Sequence, residues 1–293
     1  SSDGTFAVAC RELAGCRADW TVRTFQRAAN SGSKSAHLND VLPRATGDIL
    51  ISFDADDMSE PTRIRKTVAV FEADPLVQAV YTSFSLIDQD GLPLGTGHVP
   101  HPPSNADTRR WFARVDAYAA GTTLAVRRRV VEAFGPLLPD INEDIVLPFR
   151  ASLLGECVYL DEPLVRVHRH ASSLTADHDR FASMTAYRGR MRLGIERARR
   201  TLESRLSDIH RVEEMMPRHL ADAAELRGIA EESLSHAEMT AGLLAPALTT
   251  RVHALWTLVR CGAYRDETLQ HAVLALVPQA YLAYKRRSLG TRR

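Results

Sequence analysis

An apolar run, Ile49, Leu50 and Ile51 with Phe53 just beyond, stops abruptly at Asp54, Asp56 and Asp57. The run predicts a buried strand over 48–53. Around it the chain switches between helical and extended periodicities. Residues 5–18 place Phe6, Cys10, Leu13 and Ala14 on one helical stripe. Residues 19–26 alternate like a strand, with Trp20, Val22 and Thr24 on one face. Residues 30–48 open as a Gly/Ser loop and become a short helix whose far end is marked by Gly47. Pro61 suits the first position of a helix running to about Ala73, where its missing N–H leaves nothing unsatisfied. A strand is predicted over 77–88, with its turn at 88–91.

Residues 91–110 are rich in Gly and Pro and read as a long irregular loop, a type of segment that is often functional. Residues 121–135 read as a strand leading into a helix that ends at Gly135, 142–156 as another helix, and 157–170 as another strand. Strands therefore alternate with helices up to about residue 170, the pattern of an α/β layer fold. From about 181 the chain is rich in Arg, Glu, Ala and Leu, and helices are expected to its end, with one break at Pro217. We divide the chain at 180/181.

Charge sharpens this division. The net formal charge is only +1, but residues 1–180 carry −5 and residues 181–293 carry +6. Four cysteines without CxxC spacing suggest neither a zinc site nor a disulfide framework, and a reducing cytoplasm fits. No apolar run reaches the roughly 18–20 residues needed to cross a bilayer. No interleaving of basic and aromatic residues points to nucleic acid.

The acidic cluster needs its own explanation. In an extended segment, residues i and i+2 point the same way, so Asp54 and Asp56 face one site at a strand end. Their hard oxygens suit Mg²⁺ or Mn²⁺, ions usually held by one or two carboxylates plus substrate phosphates. The competing reading is helix capping by Asp57 or Ser59 ahead of Pro61. Capping needs one side chain and leaves the other charges unexplained.

The stretch from Asn30 to Arg63 resembles the core of family 2 glycosyltransferases, which have the GT-A fold. The resemblance rests on an ordered set: Asn30, Gly32, Ala36, Asn39, Gly47, Asp48, Asp54, Asp56, Pro61 and Arg63. Residues 120–137 look like that family's acceptor-side strand and helix. Residues 141–156 look like its Glu-Asp motif, with Arg150 and Gly155 in place, and 162–175 look like its ending, with His170 matching the family's His and His168 standing where an Arg is usual. One departure is large. Residues 1–5 look like the end of the family's second strand, so the first strand, first helix and most of the second strand have no counterpart. We expect an N-terminally truncated GT-A layer over 1–180, followed by an α-helical region over 181–293.

The resemblance implies an inverting, metal-dependent transferase that moves a sugar from a nucleotide-diphosphate sugar to a glycan or lipid-linked acceptor, in bacterial surface polysaccharide or glycoconjugate synthesis. The implied catalytic base is Asp144, with Glu143 second; the competing reading of both is an acidic helix start that complements the helix dipole. Asp3, Lys34, Asp54 and Asp56 are the implied donor contacts, and Asp54, Asp56 and His170 the implied ligands of Mg²⁺ or Mn²⁺. Lys34 is otherwise a solvated lysine, and Trp111 lines the acceptor pocket or belongs to the core. Asp54, Asp56, Asp144 and His170 are expected in one cleft. The alternative is a non-catalytic nucleotide-sugar or glycan-binding remnant. Finally, Leu269, Val273, Leu276, Val277 and Tyr284 share a helical face ahead of Lys285, Arg286, Arg287, Arg292 and Arg293. Over 268–293 this suits a helix lying on an anionic membrane surface, peripheral on the cytoplasmic side.

Overall fold

The computed structural model describes residues 4–15, 20–99, 101–102, 104, 107–169, 183–216, 219–245 and 247–260, together with Leu276 and Gln279. Asp3, His170 and, those two residues aside, the basic tail 268–293 lie outside the described residues.

A mixed six-stranded sheet forms the centre. Its strands are β1 (Ile49–Ile51), β2 (Met58–Ser59), β3 (Val77–Ile87), β4 (Pro93–Gly97), β5 (Ala125–Arg127) and β6 (Glu156–His168). They lie in the order β1-β5-β3-β6-β2, with β4 pairing the far half of β3. The long parallel pair β3/β6 is the spine, and the other pairs are antiparallel. A parallel pair is covered on both faces, which is why Ala79, Val80 and Tyr81 form a run of fully buried residues rather than an alternation.

Helices α1 (Thr5–Ala14), α2 (Lys34–Val41), α3 (Arg63–Ala73), α4 (Thr108–Ala113), α5 (Arg128–Phe134) and α6 (Glu143–Leu154) accompany the sheet. Gly135 ends α5 at φ 73°, a backbone region that favours glycine. Helices α7 (Met184–Met215), α8 (Ala223–Gly242) and α9 (Leu248–Arg260) follow. The main core does not stop at the sheet. It joins Tyr81, Phe112, Val146 and Phe149 to Ile209 and Val212 of α7 and Leu226 of α8. Buried Arg150 of α6 pairs with Asp208 of α7 at 3.0 Å. A smaller cluster of Tyr187, Leu243, Leu244, Ala254 and Leu258 holds the outer ends of the three helices together.

The α/β layer followed by helices is as expected, but several elements differ from the sequence reading. Residues 20–27 form no strand, and Trp20 is exposed. Alternation makes a strand only where a neighbour takes up its hydrogen bonds, and β1 pairs with β5 alone among the described residues. The stripe on α1 is only half-buried, at Phe6, Cys10 and Leu13, and none of its residues reaches a core. β1 stops at Ile51, and Phe53 is exposed beneath the Arg63 guanidinium, 5.5 Å from its ring. The expected loop 91–110 contains β4 and the start of α4: the Asp88 side chain accepts from the amides of Asp90 and Leu92, and this turn returns the chain along β3. α3 begins at Arg63, with Thr62 rather than Asp57 or Ser59 at its N-cap position and no side-chain cap.

Candidate active site

The site is assembled at the end of β1 by three segments that the sequence keeps far apart. The first is α2. Asn30 accepts from the Gly32 amide, Gly32 turns at φ 65°, and Ser33 caps the helix through the Ala36 amide. α2 is then fastened to the segment before α6. Asn39 bonds Leu137 in both directions at 2.8 Å, and the Ser35 hydroxyl donates to the Ile141 carbonyl at 2.5 Å. These bonds fix Lys34, the first residue of α2, beside Glu143, the first residue of α6.

Lys34 is partly exposed there, but it is held by two carboxylates rather than by solvent alone. Its Nζ lies 2.5 Å from Asp54 Oδ1 and 2.7 Å from Glu143 Oε1. Burial works against the ammonium, yet the two carboxylates outweigh it and raise the Lys34 pKa above its usual value. Glu143 is only 3% exposed, so Lys34 neutralises a buried charge. Gly121 makes the room. A Cβ there would stand 2.4 Å from Glu143 Oε1 and 3.3 Å from Lys34 Nζ.

Asp144 follows on α6. Its backbone carbonyl accepts from the Ala119 amide at 2.9 Å, tying the 118–123 segment to the helix. Its carboxyl is pushed up to about 7, by burial first and by the Glu143 charge second. Its Oδ1 is buried with no hydrogen-bond partner. Tyr118 stands near enough for the Asp144 charge, after burial, to raise its own pKa.

The third segment is the acidic turn 54–57. The Asp54 amide donates to Thr122 Oγ1 at 3.4 Å, and the Asp57 amide to the Asp54 carbonyl at 3.1 Å. Asp57 accepts from the His168 amide at 3.2 Å, and the His168 ring contacts the Asp56 carbonyl. The Asp57 carboxylate therefore joins the turn to β6 rather than capping α3. Its pKa is raised by burial, and the charges of Asp56 and Asp54 raise it further against the hydrogen bonds from Thr122 and His168. Asp56 is exposed at the tip of the turn. Beneath lies Arg63, 2% exposed, which donates to the Ser52 carbonyl at 2.8 Å and has its pKa lowered to about 10 by burial.

The structure thus brings Lys34, Asp54, Glu143 and Asp144 together and sets Asp56 beside them, next to His168. Asp3 and His170 fall outside the described residues. Trp111 packs against the main core, with Arg114 over its ring. Among the described residues no group of three or more His, Cys, Asp or Glu side chains could hold a metal alone. The negative field at 54–57 and the oxygen donors of Asp54 and Asp56 nonetheless fit a hard divalent cation that brings further ligands of its own. Gly121, Thr122 and Tyr118 were not singled out in the sequence. Gly121 and Thr122 fell in the segment read as a strand from 121, whereas the chain makes a short 3-10 turn over Gly121–Thr123 and the strand starts at Ala125.

The family description that fits this arrangement is "Glycosyltransferase like family 2", whose model matches residues 1–186. The chain belongs to glycosyltransferase family 2. Within that family, the chain is 35% identical over 92 residues to EpsE of Bacillus subtilis (strain 168), itself provisionally named a glycosyltransferase. That match covers 31% of this chain and 32% of EpsE, so the chain spans about a third of the curated relative's length. Among solved structures, S. aureus TarS 1–349 aligns over 91% of this chain and 81% of its own, with 13% identity and a TM-score of 0.46. The mannosyltransferase PcManGT from Pyrobaculum calidifontis, in complex with GDP-Man and Mn²⁺, aligns over 97% and 73%, with 21% identity and a TM-score of 0.41. Neither likeness is close enough to argue from. The Asp54–Asp56 turn and the Glu143–Asp144 helix start both lie within the family match of this glycosyltransferase.

Proposed function

We propose that this family 2 glycosyltransferase transfers a sugar from a nucleotide-diphosphate sugar to an acceptor hydroxyl, with inversion at the anomeric carbon. Its setting would be the synthesis of a bacterial surface polysaccharide or glycoconjugate. The observation that carries the reading is Asp144 itself: a partnerless buried carboxylate oxygen on a group whose pKa is pushed up to about 7. A base poised near the working pH is what removal of a hydroxyl proton needs.

In the proposed step the acceptor oxygen attacks the anomeric carbon and its proton passes to Asp144. The bond from the anomeric carbon to the diphosphate breaks, and the electron pair leaves with the diphosphate. Asp54 and Asp56 would hold Mg²⁺ or Mn²⁺. When bound, such an ion neutralises the charge developing on the leaving diphosphate. Lys34 lies against Asp54 and would meet the same diphosphate. Glu143 serves as the buried anchor of Lys34 rather than as the base, since its carboxylate is already engaged. Asp3 would contact the nucleobase and His170 would complete the metal ligands, as the resemblance implies.

The test is donor binding and transfer measured on the same variants. Asp56→Asn should remove metal-dependent binding of a nucleotide-diphosphate probe. Asp144→Asn should leave that binding intact and slow transfer by about 10²–10⁴-fold. A chain that binds the probe with metal but whose transfer is indifferent to Asp144→Asn has another base. A chain that never binds the probe is not a transferase of this kind.

A further inference from the structure

Helix α9 packs with one face only. Ala254 and Leu258 are buried against Leu243, Leu244 and Tyr187, with Leu255 partly buried beside them. A second apolar stripe is left in the open. Leu248, Val252 and Trp256 are 53%, 46% and 54% exposed. They recur every four residues, so each steps about 40° around the axis from the last and all three share one side of the helix. A lone exposed leucine needs no explanation, but three in register with an exposed tryptophan form a surface.

The charge that α9 itself carries is of one sign. The helix contains no Asp or Glu; Arg260 and His253 are exposed beside the stripe, while Arg251 is half-buried toward the packed face. The Arg260 guanidinium lies over the Trp256 indole, 4.4 Å from the ring centroid, and His253 packs 6.3 Å from the same ring. From 247 to the C-terminus the sequence has eight Lys or Arg against two acids, Asp266 and Glu267. An apolar strip with a tryptophan at its edge and cations alongside is the pattern of a helix lying in the headgroup region of an anionic bilayer. The stripe's one hydrogen-bonding group is the indole N–H of half-exposed Trp256, and an amphipathic ring of this kind suits the headgroup level of a bilayer, its apolar body inward and its N–H toward water. No helix among the described residues is long and apolar enough to cross a membrane.

We propose that the exposed face of α9 docks this glycosyltransferase on an anionic lipid surface. Leu248, Val252 and Trp256 enter the interface, and Arg260, stacked over Trp256, meets the headgroup phosphates. Because α9 is fastened through Leu258 to the cluster shared with α7 and α8, docking holds the α/β layer at a fixed height above the lipid. This proposal is independent of the donor and of the catalytic base, and it rests on α9 rather than on residues 268–293.

The test uses the full chain and sedimentation with vesicles of phosphatidylcholine alone or mixed with phosphatidylglycerol. Binding should require the anionic lipid and weaken in about 0.5 M salt, where the screening length is only a few ångströms. The double variant Val252→Glu, Trp256→Glu changes exposed side chains only, so thermal unfolding should be unaltered while the partition falls by about tenfold or more. Vesicles with brominated acyl chains add a positional readout. They should quench tryptophan emission in the wild type, and Trp256→Phe should bind as before but lose most of the quenching. Three outcomes overturn the proposal: no binding to either vesicle, equal binding to both, or binding that survives the double variant. The last would assign the contact to residues 261–293, or to a protein partner if binding appears only with membrane extracts.

Discussion

Lys34 Nζ stands 2.7 Å from Glu143 Oε1 and 2.5 Å from Asp54 Oδ1, joining the first residue of α2, the first residue of α6 and the end of the acidic turn through one ammonium group. This lysine is the cation that Asp54 and Glu143 share, with Arg63 lying beneath the turn. Lys34→Met leaves a buried carboxylate unpaired, which costs on the order of 2 kcal/mol once the partial exposure of the lysine is allowed for. The melting temperature should fall accordingly. Added Mn²⁺ should then raise it more in the variant than in the wild type, because the vacated carboxylates take the ion. Equal Mn²⁺ shifts in the two proteins would show that the lysine and the metal do not compete.

Gly121→Ala is the steric counterpart. The added Cβ meets Glu143 Oε1 at 2.4 Å. The carboxylate can move only by loosening its contact with Lys34. We expect a loss of about 1–3 kcal/mol, the usual range for overpacking a filled site. Nucleotide-diphosphate binding should weaken in parallel. A variant as stable as wild type, with unchanged binding, would mean that Glu143 has slack the contact distances do not suggest.

Asp144 gives a pH dependence whose sign is fixed. Burial first and Glu143 second raise its folded-state pKa to about 7, well above the value of an unfolded aspartate. The folded chain therefore holds the proton more tightly than the unfolded one between about pH 4 and 7. This group's contribution is fully present below that window and is lost as pH rises through 7. Asp144→Asn removes the loss, so the variant should gain stability over wild type at pH 8 relative to pH 5, by on the order of 2 kcal/mol. Transfer by the wild type should rise with pH through the same value, since the base acts when deprotonated.

Arg150 tests whether the helices and the sheet fold together. Its guanidinium pairs with Asp208, which is buried with it, and donates to the Gly135 carbonyl at 2.9 Å. Arg150→Ala strands the Asp208 carboxylate and should cost about 3–5 kcal/mol. Because one core runs through Phe149, Ile209 and Leu226, thermal unfolding should remain a single transition at a lower temperature. Two separated transitions would show that α7 and α8 unfold on their own.

Much of the fold was legible because its strongest elements carry their own signals. The apolar run 77–87 is β3, the acids at 143 and 144 open α6, and Gly135 ends α5. What misled was context. Residues 20–26 have strand periodicity and no neighbour to pair with, and residues 93–97 have loop composition but lie along an overlong β3. The candidate site was legible as a set of acids and not as a circuit. Lys34 and Glu143 are 109 positions apart. Nothing in either neighbourhood states that the Asn39–Leu137 and Ser35–Ile141 bonds will bring them into contact. Thr122 and Gly121 were invisible for the same reason: their importance lies in what approaches them.

Among the described residues the sheet's path ends on β1 at one side and β2 at the other. Among the described residues β1 pairs with β5 alone, so the outer side of Ile49–Ile51 presents backbone donors and acceptors without strand partners, next to exposed Phe53. An edge of this kind accepts any extended peptide of the right length, another copy of the chain included. For the residues described, a lysine introduced at position 53 would put a charge on that edge and discourage pairing between copies.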